Sequence, residues 1–321
     1  MGPVSPELPG LSPGGQGVTT SPAGGSLGAR GCDMSTLVRS AWATSLGELR
    51  HEPTDKRIRA WHAGRPVLDS TRAVLVYEPR RVVSSWAVPV EDVRAVLRPA
   101  AAASGDEAGD EAGDEAGDEV GVRLPALSDR PILDPSVPFA VHTAPGQVVD
   151  VVLGEQVCQG AGLLLADPDL DGYVVLDVAA FDQWWEEDEQ VHGHPREPFH
   201  RLDVLPSSRP VRLELDGTLL AQSSRPVLLF ESLLPVRFYL PRADVVAELA
   251  PSPTRSTCAY KGQAAYLSPV VAGRARADLA WTYDRPMREV APIAGLVAFF
   301  DERVDVVLDG VRRPRPVTPW S

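Results

Sequence analysis

Residues 211–217 read Val-Arg-Leu-Glu-Leu-Asp-Gly, so Val211, Leu213 and Leu215 alternate with Arg212 and Glu214. A period of two places the apolar set on one face of a half-buried strand. Asp216-Gly217 then signals a tight hairpin, because Gly accepts the positive φ that a type I′ turn requires. The stretch 58–64, Ile-Arg-Ala-Trp-His-Ala-Gly, repeats this arrangement at an offset of 153. The same offset matches Ser70 to Ser223, Arg72 to Arg225, Val74 to Val227, Tyr77 to Phe230, Glu78 to Glu231 and Trp86 to Tyr239. After a one-residue gap, Pro89-Val-Glu-Asp-Val93 matches Pro241-Arg-Ala-Asp-Val245, and Leu97 matches Leu249. So many ordered matches read as an internal duplication. The expected fold is mainly β, with two tandem domains, each carrying one short helix that opens at Pro89 or Pro241.

Further apolar runs at Gln147–Leu153, Gly162–Ala166 and Tyr173–Val178 read as strands of the first copy. Gln263–Ser268, Leu279–Tyr283 and Leu296–Phe300 read likewise in the second. The expected boundaries are a disordered segment over 1–50, a first domain over 55–205 and a second over 206–318. Residues 1–31 hold nine Gly and five Pro without apolar periodicity, too little buried surface to offset ordering entropy, and Met34 is an expected alternative start. The Gly-Asp-Glu-Ala repeat inside 104–121 reads as a solvated acidic loop. It carries eight acidic residues, and without it the formal charge of −13 falls to −5. A near-balanced remainder lacks the basic stripe of a nucleic-acid or anionic-membrane binder, so neither partner is expected.

Cys32, Cys158 and Cys258 are widely spaced and odd in number, which argues for a reduced, cytoplasmic setting rather than a disulfide framework. No apolar run approaches the roughly 18 residues of a membrane span. Only Lys56 and Lys261 are lysines among 31 basic residues, a bias that, with abundant Ala, Val, Pro and Gly, points to a high-GC bacterial genome.

The chemistry-bearing residues concentrate in the second copy: Cys258-Ala-Tyr-Lys-Gly262, Ala265-Tyr266, Trp281-Thr-Tyr283-Asp-Arg-Pro286, Ile293 and Val297-Ala-Phe299. Here the chain resembles the domain-of-unknown-function 427 family, whose pattern joins a Cys-Pro-(Trp/Tyr)-Lys-Gly turn to a Trp-x-Tyr-x-x-Pro segment and an Ala-Phe strand. Ala259 stands where the family has Pro. The first copy and the join Trp185–Phe199 resemble the family's tandem form, so the likeness runs from about 55 to 316. The resemblance implies a β-tent-like fold in both copies, similar to the thalidomide-binding domain of cereblon and to methionine sulfoxide reductase B. Many β-tent relatives hold zinc with four cysteines; three scattered cysteines cannot, so no metal or other cofactor is expected. A nucleotidyltransferase label attaches to the family, but the Gly-Ser and Asp-x-Asp arrangement that would hold a metal-bound triphosphate is missing.

Two readings of the site compete. Cys258 and Lys261, three apart on a turn, offer a thiolate activated by an ammonium, the basis of an enzyme reading. They equally suit a plain turn with a small buried thiol and a solvated charge. Tyr260, Tyr266, Trp281 and Tyr283, with Lys261 and with Glu289 supplying charge, could line an aromatic cleft for a small molecule or peptide. The competing reading packs the aromatic side chains into the sheet. The first copy has His142-Thr-Ala-Pro-Gly146 at the matching turn, which confines any such site to the second copy. The expected function is a small-molecule or peptide binding module, with the Cys258–Lys261 enzyme as alternative.

Other signals read as structural. Arg225 with Glu231, echoed by Arg72 with Glu78, is expected as a repeated ion pair. His192-Gly-His194 and His200 lie beside Glu186, Glu187 and Glu189, and His-x-His on a strand has metal-ligand geometry, but Pro195 and Pro198 mark an extended connector. Asp167-Pro-Asp-Leu-Asp171-Gly172 imitates the start of a calcium loop yet lacks its closing Glu, and is expected as a hairpin turn. No phosphate-binding loop, dinucleotide fingerprint or nucleophile elbow occurs.

Overall fold

The computed structural model describes residues 42, 45–101, 132–133, 135 and 137–318, all within one compact unit. The expected N-terminal segment lies mostly outside these residues, as do Cys32, Met34 and the acidic loop 104–121. The boundary at 50 needs correction: Leu46 is buried, and Arg50 already begins the first strand.

The chain is mainly β. Its first half runs β1 (Arg50–Pro53), β2 (Ile58–His62), β3 (Arg65–Ser70), β4 (Val74–Tyr77), β5 (Ser85–Pro89), β6 (Val96–Pro99), β7 (Gly146–Leu153), β8 (Gln156–Leu165), β9 (Tyr173–Leu176), β10 (Gln183–Glu186) and β11 (Glu189–Val191). Its second half runs β12 (Leu202–Pro206), β13 (Val211–Leu215), β14 (Thr218–Ser223), β15 (Val227–Glu231), β16 (Arg237–Tyr239), β17 (Leu249–Cys258), β18 (Gly262–Val271), β19 (Arg274–Ala275), β20 (Ala280–Thr282), β21 (Val297–Phe299), β22 (Asp305–Leu308) and β23 (Val311–Arg312).

Seven strands of the first half pair in the order β1-β4-β5-β9-β8-β7-β6, and a second sheet is ordered β11-β10-β2-β3. In the second half β12-β15-β16 joins β21-β20-β18-β17 through a Leu240–Val297 bridge, and β23-β22-β13-β14 forms the companion sheet. The two strand orders correspond element by element. The hairpins β2–β3 and β13–β14 even share a bulge, after Ala60 and after Leu213. Both turns are left-handed at two residues, Ala63-Gly64 (φ 47° and 74°) and Asp216-Gly217 (φ 51° and 75°), as a type I′ turn demands.

Strand alternation explains the first-half core. Leu75, Trp86, Val88, Val174 and Leu176 pack between the two sheets, while Val74, Val76, Ala87 and Val175 are buried on the opposite face of the larger one. With both faces covered, β4, β5 and β9 read as continuous apolar runs instead of alternating ones. The second-half core gathers Val211, Leu213, Leu229, Tyr239, Trp281, Val297 and Phe299.

The structure corrects two details. The expected helices at Pro89 and Pro241 are single 3-10 turns, Val90–Asp92 and Arg242–Asp244, since Val93 and Val245 already turn extended. Leu97 and Leu249 consequently sit on β6 and β17. Trp86 does not correspond to Tyr239: Val74 pairs with Ala87 and Val227 with Tyr239, so the one-residue gap falls before Trp86. The Asp167–Gly172 stretch does connect two paired strands, β8 and β9.

Candidate functional site

Each half buries a glutamate at the equivalent place, Glu78 just past β4 and Glu231 at the end of β15, and the two are satisfied differently. Ion pairing with Arg72 or Arg225 is not how. Arg72 binds Asp92 (2.6 Å) and Arg225 binds Asp244 (2.9 Å), in a motif completed by Ser70 and Ser223, each 2.7 Å from the same aspartate. Glu78 instead accepts from Thr143 N (2.6 Å) and Ala144 N (3.0 Å) and lies 2.8 Å from His142 Nδ1.

Glu231, at the end of β15, faces the Cys258–Gly262 turn between β17 and β18. This turn closes because Gly262 adopts φ +91°, a conformation without cost for glycine. Lys261 Nζ pairs with Glu231 Oε2, and His200 Nε2 lies 3.0 Å from Glu231 Oε1. Burial works against both charges of the pair. For Glu231 the Lys261 ammonium and the His200 bond outweigh it and hold the carboxyl down at about 2. For Lys261 the Glu231 charge outweighs it and holds the ammonium above its usual range. Burial meanwhile depresses His194 to about 4 and pushes the Tyr239 phenol up to about 12.

Tyr260 stacks on the His200 ring at 4.1 Å and 22°, and its hydroxyl oxygen accepts from Glu197 N at 2.9 Å. The connector 192–201 is therefore fastened to the turn. It is also fastened to the first half: Arg196 Nη1 binds Glu189 (2.9 Å), and Lys56 Nζ binds Glu186 (2.6 Å) and Arg196 O (2.9 Å). Arg196 pairs with Glu289 as well, which joins β11 to the segment after β20.

These residues border a cleft of about 790 Å³ with walls from both halves. Six acidic side chains line it, Glu186, Glu187, Asp188, Glu189, Glu197 and Glu289, against the three fixed cations Lys56, Arg196 and Arg288. His200, Tyr260, Leu75 and Leu202 add aromatic and apolar surface.

Of the second-copy site residues expected from the sequence, only Tyr260 and Glu289 border this cleft, which is also lined by His200, Glu186, Glu187 and Glu189 of the connector region. Lys261 sits behind it in the ion pair with Glu231. Cys258 is half-buried at the end of β17 and is a free thiol, as is Cys158. Trp281 and Tyr283 are core residues: the Trp281 indole donates to Tyr239 Oη (3.2 Å) and packs 4.6 Å from Phe300. Tyr266 is half-buried on β18, its hydroxyl 3.0 Å from Ser256 Oγ. The four aromatic residues thus do not assemble into one cleft.

His192-Gly-His194 is not on a strand; Gly193 takes φ +84°, and His194 turns inward beside Pro195 O (2.9 Å). Among the described residues no group of three or more His, Cys, Asp or Glu is placed to hold a metal ion, and no helix is long and apolar enough to cross a membrane. Sequence reasoning placed His200 beside Glu186, Glu187 and Glu189 only as part of a metal-like histidine group, and it missed the true partners of Glu231. The scarcity of lysine, which marks out Lys261, and the Glu78–Glu231 echo were the two signals that could have joined them.

Residues 203–310 match the family model described as Domain of unknown function (DUF427). No curated protein matches the chain.

Proposed function

With its segment 203–310 a member of the DUF427 family, a family described without a function, we propose that this chain is a binding module for a cationic small molecule or basic peptide, seated in the cleft between two copies of one β-tent-like domain. The duplication is supported by the matching strand orders and shared bulge. The observation that carries the binding reading is the cleft lining, six carboxylates against three fixed cations around a His200–Tyr260 stack. A concave site with a few convergent polar groups is the usual form of a ligand pocket, and an excess of one charge selects its opposite. The same excess disfavours nucleic acids and anionic membranes, and the reading suits a bacterial cytoplasmic protein without a bound cofactor.

The enzyme alternative finds less support. That reading needs the Lys261 ammonium to lower the Cys258 thiol, and the ammonium is already matched by the buried Glu231 carboxylate. No base and orienter are hydrogen-bonded to Cys258 among the described residues. The test is calorimetric titration of the full chain with spermidine and a lysine-rich nonapeptide, with ATP as the anionic comparison. Binding of the two cations, weakened by Glu289→Gln, is expected. Binding of ATP in preference to both would sink the reading.

A further inference from the structure

The geometry points to His200 as the residue that anchors the ligand in this cleft: it donates from Nε2 to Glu231, and in its neutral form turns the Nδ1 lone pair to an N–H of a primary or secondary ammonium. This rests on the cation-binding reading and adds the anchoring atom and ligand class to it.

Four observations support the assignment. Glu231 is an ionised carboxylate and can only accept, so the 3.0 Å contact requires the proton on Nε2. In a neutral imidazole, a nitrogen fixed as donor leaves the other as acceptor. No described residue hydrogen-bonds Nδ1, the side chain keeps 19% of its surface exposed, and His200 borders the cleft. The ring cannot easily turn away, because Tyr260 is stacked on it and is itself fixed through Glu197 N.

The charge arrangement favours the same ligand. Lys261 already matches the Glu231 charge, so the pair behind His200 is closed and adds no net attraction for an anion. In front, the lining holds more carboxylates than cations, and Glu187 and Glu197, which make no ion pair with a described cation, supply the acidic excess. The first half has no equivalent: His142 meets Glu78 through Nδ1, and its side chain is only 7% exposed.

The test uses the full chain labelled with 15N-histidine and spermidine as probe. Long-range 15N–1H spectra of the ligand-free protein are expected to show His200 as the Nε2–H tautomer, and spermidine should shift its Nδ1 resonance. His200→Gln keeps a group that can reach Glu231 and removes the Nδ1 acceptor, so spermidine affinity should fall about tenfold by calorimetry. An Nδ1–H tautomer, or unchanged affinity in a folded His200→Gln chain, overturns the anchoring role while leaving the cleft reading intact. A wild-type chain that binds neither spermidine nor the basic peptide overturns both. The tautomer measurement needs no variant and keeps the assignment falsifiable if His200→Gln fails to fold.

Discussion

Lys261→Met tests whether the buried charge pair holds the Cys258–Gly262 turn against β15. The Glu231 side chain is 6% exposed and that of Lys261 13%. Met keeps most of the aliphatic volume but leaves Glu231 ionised and buried, with His200 as its one remaining side-chain partner. Removing one member of a buried pair strands the other, at a cost of about 3–5 kcal/mol. At about 2–4 °C per kcal/mol for a chain somewhat under this size, Tm should fall by roughly 6–20 °C. Replacing both members, Lys261→Met with Glu231→Gln, removes the stranded charge and should recover most of the loss. The pH dependence has a definite sign. Glu231 is depressed from 4.5 to about 2, so its contribution is complete above pH 4.5 and vanishes as pH falls through about 2. Lys261 is raised above 10.5, so its share persists through neutral pH and disappears only in strong alkali. Urea midpoints at pH 7 and pH 3 measure both effects: the deficit of Lys261→Met should be full at pH 7 and smaller at pH 3. A deficit under about 1 kcal/mol at pH 7, or a double variant as unstable as the single, would refute the reasoning.

Trp281→Phe loses the indole bond to Tyr239 and part of a buried ring; it should cost about 1–3 kcal/mol in urea unfolding and leave spermidine affinity unchanged, the reverse of what an aromatic-cleft residue would do. Ser70→Ala and Ser223→Ala each remove a 2.7 Å bond to an aspartate in equivalent places, and equal losses of about 1 kcal/mol are expected by the same assay. Gly262→Ala forces a side chain into φ +91° at the turn, with Arg285 O only 3.4 Å from the new Cβ, and should cost about 1–2 kcal/mol. Burial pushes the Asp301 carboxyl up from 3.8 to about 7, so its destabilising effect grows as pH rises from 3.8 and is complete above 7. Asp301→Asn should therefore stabilise the chain at pH 8 and lose that advantage toward pH 4 in thermal melts.

What could be read from the sequence was what local pattern dictates. Val211–Leu215 and Asp216-Gly217 show their strand and turn because a period of two and a positive-φ glycine are local requirements. The one-residue gap in the internal match was misplaced because sequence alone cannot position a single-residue shift; the Val74–Ala87 and Val227–Tyr239 pairings fix it. Trp281 and Tyr283 fitted either a core or a cleft, with the core favoured, since their alternation with Thr282 puts both on one face without saying whether that face meets the core or a ligand. His200 was marked only as one of a histidine group beside Glu186, Glu187 and Glu189, and nothing local pointed from it to Glu231. Its partner Glu231 lies 31 positions away, and the lysine that closes the pair lies on a third element.

The contrast between Glu78 and Glu231 explains why the site falls where it does. Glu78 takes both amides and the histidine from one short stretch, 142–144, so its charge is closed within the first half. In the second half the turn supplies a lysine to one carboxylate oxygen and leaves the other for His200, which belongs to the connector. That division fastens residues 192–201 to the second half, while Arg196 and Lys56 fasten them to the first. The cleft forms at the seam the connector shares, and four of its six acidic lining residues come from β10, β11 and the turn between them. A site confined to the second half would have no use for Glu186 and Glu189. On the proposed reading the first half supplies one wall of the cleft, so neither half should bind spermidine when expressed alone.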